Sequence, residues 1–268
     1  MSRIERPLSK WEKVGIGLTR ISQVARAAKT FTNWPEMTRI YAGATMPNNF
    51  RAKGRSGFSL PLPAPSDVQT TWVVFCSGEY YLPAGCRTVL DLGANIGAFT
   101  LRAAYCGRAQ RIYSLEPVAE TFAALEENIR ANGVPNATLL RKGIGRATER
   151  RTIYLGTASP HSSIIFRGMP EYESGQTEQV EIITLNDLFD ELNIDEVDMA
   201  KMDCEGGEVE AILAANDATL RRIKHISMEY HFPASLSNET ELFERLKRAG
   251  FRCRSKSRAG RLAQFERI

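Results

Sequence analysis

Between Thr88 and Ala104 the chain reads TVLDLGANIGAFTLRAA. A short β-like run enters a turn with glycine at 93 and 97, and a helical pattern follows at once. A strand that feeds a helix through so short a turn is the first half of a βαβ unit. That unit places its strand in a parallel sheet with helices on the faces.

The same alternation continues to the C-terminus. RIYSLEP reads as a strand and VAETFAALEENIRANG as an amphipathic helix closed by Gly133. NATLLRKGIG reads as one strand, and RRTIYLG and EQVEIITL as extra strands around a polar loop at 157–178. LNDLFDELN, GGEVEAILAAN and NETELFERLKRAG are helical, while EVDMAKMD and IKHISMEYH are strands. FRCRSKS and RLAQFERI form a closing hairpin around Arg258, Ala259 and Gly260, which predicts antiparallel pairing near one edge of an α/β sheet. There is no internal repeat.

Upstream, residues 8–31 read as a helix whose apolar positions are Leu8, Trp11, Leu18, Ile21, Ala25 and Ala28. Pro35 suits the start of a second helix. We read 1–45 as a helical N-terminal extension packed on a main domain at 46–268. The stretch from Asn48 to Pro83 is rich in turn residues and short β-like runs, which predicts a hairpin or two.

The 268 residues suffice for one sizeable core, and no apolar run is long enough to span a bilayer. Charges interrupt the N-terminal stretch, so no secretory signal is expected. Five scattered cysteines with no CxxC argue against a disulfide framework or zinc site and fit a reducing cytoplasm. The net charge of +4 conceals an asymmetry. Residues 1–60 hold eleven Lys and Arg against three Asp and Glu, and residues 245–268 hold nine against one, leaving an acidic middle. The plainer account is solvated faces and internal pairing. The alternative is a basic surface for nucleic acid, or for anionic lipid at the inner face of a membrane.

The turn Asp91-Leu92-Gly93-Ala94-Asn95-Ile96-Gly97 is the natural cradle for a nucleotide cofactor. A dinucleotide site wants GxGxxG and a pyrophosphate, which the carboxylate of Asp91 would repel. That carboxylate suits an ammonium or a sulfonium instead, and S-adenosylmethionine carries both and no phosphate. Gly93 allows close backbone approach to the ligand, and Gly97 close packing of the helix. Glu116 ends the next strand, where an acid can bind both ribose hydroxyls. Asp203 ends a later strand. Three acids at three strand ends are hard to explain by sheet packing.

TVLDLGANIGAFTLRAA, RIYSLEPVAETFAALEENIRANG and VDMAKMDCEGGEVEAIL together resemble the FkbM family of S-adenosylmethionine-dependent methyltransferases, over about residues 68–232. D-L-G-A-N-x-G alone marks only the superfamily, and E-P with K-x-D-x-E-G narrows it. The resemblance implies a Rossmann-like class I methyltransferase fold: a mostly parallel seven-stranded sheet with an antiparallel last strand. It implies methylation of a hydroxyl, often on a sugar of a glycan, glycolipid or glycosylated natural product. It places Asp91, Gly93, Ala94, Asn95 and Gly97 around the methionine end of the cofactor and Glu116 on the ribose. Tyr81 is expected either to close over the cofactor or to be a half-buried core tyrosine.

An alcohol needs a base as it attacks a sulfonium methyl. Asp203 and His231 are the leading acid–base candidates. Lys201 shares a strand face with Asp203, either as a base of lowered pKa or as its ion partner. Glu229 shares a face with His231, and His161 in the polar loop is a candidate substrate contact. Glu205 reads as a cap for the helix near Gly206. Asp203 and Glu229 are also an oxygen pair that suits Mg²⁺. The alternatives are an RNA methyltransferase, which the basic ends favour, a binding protein that kept the fold without the chemistry, and a nicotinamide oxidoreductase, which Asp91 disfavours.

Overall fold

The computed structural model describes residues 10–156, 175–231, 239–257 and 261–268. The expectations for His161, for most of the 157–178 loop and for the turn at 258–260 lie outside these residues.

The N-terminal segment forms helices α1 (Lys10–Thr30) and α2 (Trp34–Tyr41) and an antiparallel hairpin, β1 (Arg51–Lys53) and β2 (Ser59–Pro61). Then come α3 (Pro65–Trp72), β3 (Thr88–Leu92), α4 (Ala98–Tyr105), β4 (Arg111–Leu115), α5 (Ala119–Ala131) and β5 (Ala137–Leu140). Next are β6 (Gly143–Ile144), β7 (Glu149–Tyr154), β8 (Thr177–Ile183), α6 (Leu185–Glu191), β9 (Val197–Met202), α7 (Gly207–Ala214) and α8 (Asp217–Leu220). The chain closes with β10 (Ile223–Glu229), α9 (Glu239–Arg248), β11 (Phe251–Lys256) and β12 (Leu262–Arg267).

Seven strands form one sheet in the order β11-β12-β10-β9-β3-β4-β5. All adjacent pairs from β10 to β5 are parallel, and β12 runs antiparallel between β10 and β11. This is the Rossmann-like methyltransferase arrangement, with the last strand inserted one place in from the edge. Strand order reverses beside β3, whose neighbours are β4 and β9. The crevice for a ligand therefore opens at the C-terminal ends of β3 and β9. The five residues of β3 are all buried, as a strand covered on both faces should be.

Two expectations are corrected. The apolar stretch after Pro65 is helical, not a second hairpin: α3 runs on into a π-helical turn at Val73–Ser77. Val68, Trp72 and Phe75 recur at helical spacing and are buried, and Asp67 accepts a hydrogen bond from the Ala64 N–H at 2.8 Å. The stretch NATLLRKGIG is not one strand. It splits after Leu140, and β6 pairs with β8 in a separate three-stranded sheet.

Helix α1 exists, and over its C-terminal part, where the side chains are described, it turns a different face inward. Ala27 near its C-terminal end and Phe31 just beyond it are fully buried, whereas Ile21 is 67% exposed. Polar contacts set that rotation. The Arg26 side chain donates to the carbonyls of Cys76 and Ser77 at 2.5 and 2.8 Å, and Trp72 donates to Gln23 at 3.0 Å. The rings of Phe31, Phe58 and Phe75 then cluster with centroids 5.1 to 6.1 Å apart. This cluster is continuous with Val89 and Met199 of the main sheet and with Phe99 of α4, so the extension and the sheet share one core. Among the described residues no helix is long and apolar enough to cross a membrane.

Phe31→Ala is expected to cost about 3–5 kcal/mol in denaturant unfolding, and Ile21→Ala less than about 0.5 kcal/mol. Equal costs would mean that the helix face has been assigned wrongly.

Candidate functional site

The turn after β3 holds three residues in left-handed conformation, Gly93 (φ +77°), Asn95 (φ +50°) and Gly97 (φ +94°). Glycine at 93 is required by the chain itself. A Cβ there would stand 1.9 Å from the Asp203 carbonyl oxygen, so the close approach is to the end of β9. At Gly97 a Cβ would meet Leu125 of α5 at 2.8 Å, in keeping with close helix packing. The turn is tied to β4 as well: the N–H groups of Gly93 and Ala94 both donate to Leu115 O, at 3.0 and 2.8 Å.

A cavity of about 230 Å³ opens beside this turn. Gly93, Ala94, Asn95, Glu116, Lys201, Asp203, Glu205 and Glu229 are all in its wall. Elements far apart in sequence thus bring most of the expected residues together. Glu116 is buried and accepts from the N–H groups of Asn95 and Val118 at 3.0 and 3.1 Å. Burial outweighs those bonds and pushes its carboxyl up to about 7.

Asp91 is not in the wall. It is fully buried behind the turn, where Thr100 donates to its Oδ2 at 2.8 Å. Its Oδ1 makes no hydrogen bond, and the Lys201 ammonium stands 3.5 Å away. The expectation of a carboxylate facing a cationic cofactor is corrected: Asp91 faces Lys201. The Lys201 Nζ donates to Gly93 O at 2.5 Å and lies 3.9 Å from Asp203 Oδ2. Burial pulls this ammonium down, but Asp91 and Asp203 more than offset it, and the net shift is upward. Lys201 therefore stays charged. Of its two expected roles the geometry favours the ion partner, between Asp91 and Asp203.

His231 is ringed by acids. Burial lowers its pKa, but the bond to Glu208 and the surrounding acids raise it to about 9. Its Nδ1 lies 3.2 Å from Glu208 Oε1, and its Nε2 lies 3.7 and 3.9 Å from Glu205 and Glu229. Glu205 does not cap α7. That task falls to Glu208, fully buried, which accepts from the N–H groups of Cys204, Gly206 and His231. Glu205, at φ +50°, points into the cavity, where burial pushes its carboxyl up to about 8. Glu229 is raised to about 7 by burial and by Asp203.

The tyrosine of the site is Tyr80. Its hydroxyl donates to Asp203 Oδ2 at 2.8 Å and is 3.4 Å from Glu229 Oε2. Burial and the two carboxylates raise its pKa well above the usual phenol range, so it remains a donor. Tyr81 points the other way, packed against His225 and under Arg254. Sequence reasoning missed Tyr80 and Glu208. The pair YY marked the position but not which ring turns inward, and the glutamate after Gly206-Gly207 was a capping signal left unused. The sequence does not commit to Asp203 and Glu229 as a Mg²⁺ pair, and the ligand cluster in the structure is a different set. Among the described residues, Asp203, Glu205 and His231 offer ligand atoms all within 4.8 Å of one another.

Compared with known proteins, residues 91–253 match the sequence model of the Methyltransferase FkbM domain. The AMB antimetabolite synthetase AmbE of Pseudomonas aeruginosa is 26% identical over 61% of this chain and 9% of its own length. The 31-O-demethyl-FK506 methyltransferase FkbM of Streptomyces tacrolimicus is 26% identical over 53% of this chain and 65% of its own. The chain thus spans less than two thirds of the length of these curated relatives. Among solved structures, methyltransferase FkbM from Methylobacillus flagellatus KT is 14% identical with a TM-score of 0.47, covering 92% of this chain and 62% of that one.

Lys201→Met leaves Asp91 as an uncompensated buried acid and is expected to cost about 3–5 kcal/mol in equilibrium unfolding. Adding Asp91→Asn should recover a large part of that loss. A double variant no more stable than the single one would rule out the ion pair as the reason for the burial of either group.

Proposed function

The chain belongs to the FkbM methyltransferase family, and on that premise we propose that it transfers a methyl group from S-adenosylmethionine to a hydroxyl of its acceptor, a sugar of a glycan, glycolipid or glycosylated natural product. The observation that carries this reading is one cavity with two kinds of acid. Glu116 stands at the end of β4, and Asp203 and Glu229, joined by the Tyr80 hydroxyl, stand at the ends of β9 and β10. The name of the Streptomyces tacrolimicus relative supports oxygen as the receiving atom.

The residues present fit the cofactor. Glu116 is an acceptor suited to a ribose diol, and Ile96, Phe99 and Ile144 add apolar wall for a base. The open carboxylates suit a ligand with two cationic groups and exclude a pyrophosphate. When bound, S-adenosylmethionine supplies an electrophilic methyl whose leaving group is a neutral thioether. What the chain must provide is therefore alignment and a place for one proton. Glu229 and Asp203, at the ends of β10 and β9, are the wall acids that we assign to take the hydroxyl proton. Tyr80 holds Asp203 in one orientation, and Lys201 anchors it to the cofactor turn. His231 lies between Glu208 and Glu205 and serves as an electrostatic partner of those acids.

Calorimetry should give micromolar binding of S-adenosylhomocysteine and none of NAD, and Glu116→Ala should abolish the former. The ribose site requires ionised Glu116. Below about pH 7 its carboxyl takes up a proton, so affinity should fall by up to about tenfold per pH unit, and Glu116→Gln should flatten that profile. Once an acceptor is found by screening glycosides, Asp203→Asn and Glu229→Gln should each lower the single-turnover rate about 10²-fold while S-adenosylhomocysteine still binds. Wild-type rates in both would refute the base assignment.

A further inference from the structure

We propose that Asp203 and Glu205 in the cavity wall, with His231 beside them at the end of β10, form a binding site for a divalent transition cation of the Mn²⁺ or Zn²⁺ class. The site goes beyond the cofactor reading and stands on geometry that does not depend on it.

The imidazole carries the argument. Its Nδ1 faces Glu208 at 3.2 Å, and Glu208 is fully buried and fixed by backbone N–H groups on both sides of the Gly206 turn. A histidine ligand is typically oriented this way, with one ring nitrogen held by a carboxylate outside the ligand set and the other left for the ion. Here the other nitrogen, Nε2, points at Glu205 Oε2 across 3.7 Å. That gap is too long for a hydrogen bond. Two donors bound to one ion at about 2.1 Å each stand about 3.0 Å apart at a right angle and about 4.2 Å apart when opposed. The His231–Glu205 spacing lies between these limits, and the three ligand atoms as a set lie within 4.8 Å of one another, so an ion would draw them slightly together.

Asp203 is prepared in a similar manner. Tyr80 occupies its Oδ2 at 2.8 Å and sets the plane of the carboxylate, and Oδ1 makes no hydrogen bond among the described residues. The charge around the site is also unbalanced. Lys201 lies 3.5 and 3.9 Å from Asp91 and Asp203, and His231 lies 3.2, 3.7 and 3.9 Å from Glu208, Glu205 and Glu229, so two basic side chains stand among five carboxylates. A divalent ion would supply the missing positive charge. Glu229, 3.9 Å from Nε2, would flank it, placed to accept a proton from a hydroxyl drawn to the ion.

The ligand types choose the metal. Two carboxylates and one imidazole nitrogen disfavour Mg²⁺ and Ca²⁺, which take oxygen ligands, and lack the thiolate that soft ions prefer. Borderline divalent ions remain, with Zn²⁺ expected to bind more tightly than Mn²⁺.

The test uses the full chain stripped with a chelator and titrated with Mn²⁺ while the electron paramagnetic resonance signal of the free ion is followed. One Mn²⁺ should bind per chain, more tightly than Mg²⁺ can compete for, and spin-echo modulation should show one coupled ¹⁴N. Glu205→Gln and His231→Gln should each weaken binding at least about tenfold, and Glu208→Gln by about 10- to 100-fold. His231→Gln should also remove the ¹⁴N coupling, with thermal melts recording whether each variant is folded. The coupling in the wild-type protein tests the site even if a variant does not fold. Free Mn²⁺ throughout the titration, binding without ¹⁴N coupling, or equal affinity for Mg²⁺ would overturn the proposal. S-adenosylhomocysteine binding is read separately, so a failure of the cofactor reading leaves this result distinguishable.

Discussion

A single buried ammonium joins the two halves of the sheet where function is expected. Lys201 leaves β9, reaches under the turn that follows β3, and donates to the Gly93 carbonyl at 2.5 Å. Asp91 lies behind it and Asp203 in front, at 3.5 and 3.9 Å. Burying one cation between two anions is unfavourable unless the remaining hydrogen-bond capacity is used, and here two backbone carbonyls use it. The left-handed conformation of Gly93 follows, because the β9 end has to come within contact of the turn for Lys201 to reach it. The position of Asp203 in the cavity wall follows from the same approach.

The acids that remain divide by what they face. Glu208 is inaccessible and spends both oxygens on backbone N–H groups, so it builds the turn and orients His231. Glu116, Glu205 and Glu229 are in the cavity wall with carboxyls raised by burial toward or above neutrality. Such groups sit close to the point of losing or gaining a proton, which is the state that proton transfer and the binding of cations both require. Tyr80 ties the β9 acid to the β10 acid with a hydroxyl that stays protonated. The chemistry of the site is therefore a property of neighbouring strand ends and of no single motif.

Much of the architecture was legible because its signals are local. Strand, glycine turn and helix follow one another within eighteen residues at 88–105, and a strand followed closely by a helix recurs at 111–131 and 197–214. The helix after Pro65 was not legible. Its β-branched and aromatic residues favour strand locally, and only packing against α1 and the Phe31–Phe58–Phe75 cluster decides for helix. The face of α1 was misread for a related reason. Periodicity offers several apolar stripes, and the hydrogen bonds of Arg26 and Gln23 to distant residues select one.

The sequence alone settled which residues could act: the acids at strand ends, the glycines at left-handed positions, the lysine and histidine in register with them. Residue type and spacing carry that information because strands alternate faces and end where a crossover helix begins. Only the tertiary structure decided the state of each group. It turned Asp91 toward Lys201, set His231 between Glu208 and Glu205, brought in Tyr80 in place of Tyr81, and freed Glu205 from the helix it was expected to cap. Protonation and partnership depend on distances across the sheet and on exclusion of water. Those are set by residues more than a hundred positions apart, such as Tyr80 and Asp203, and no local pattern encodes them.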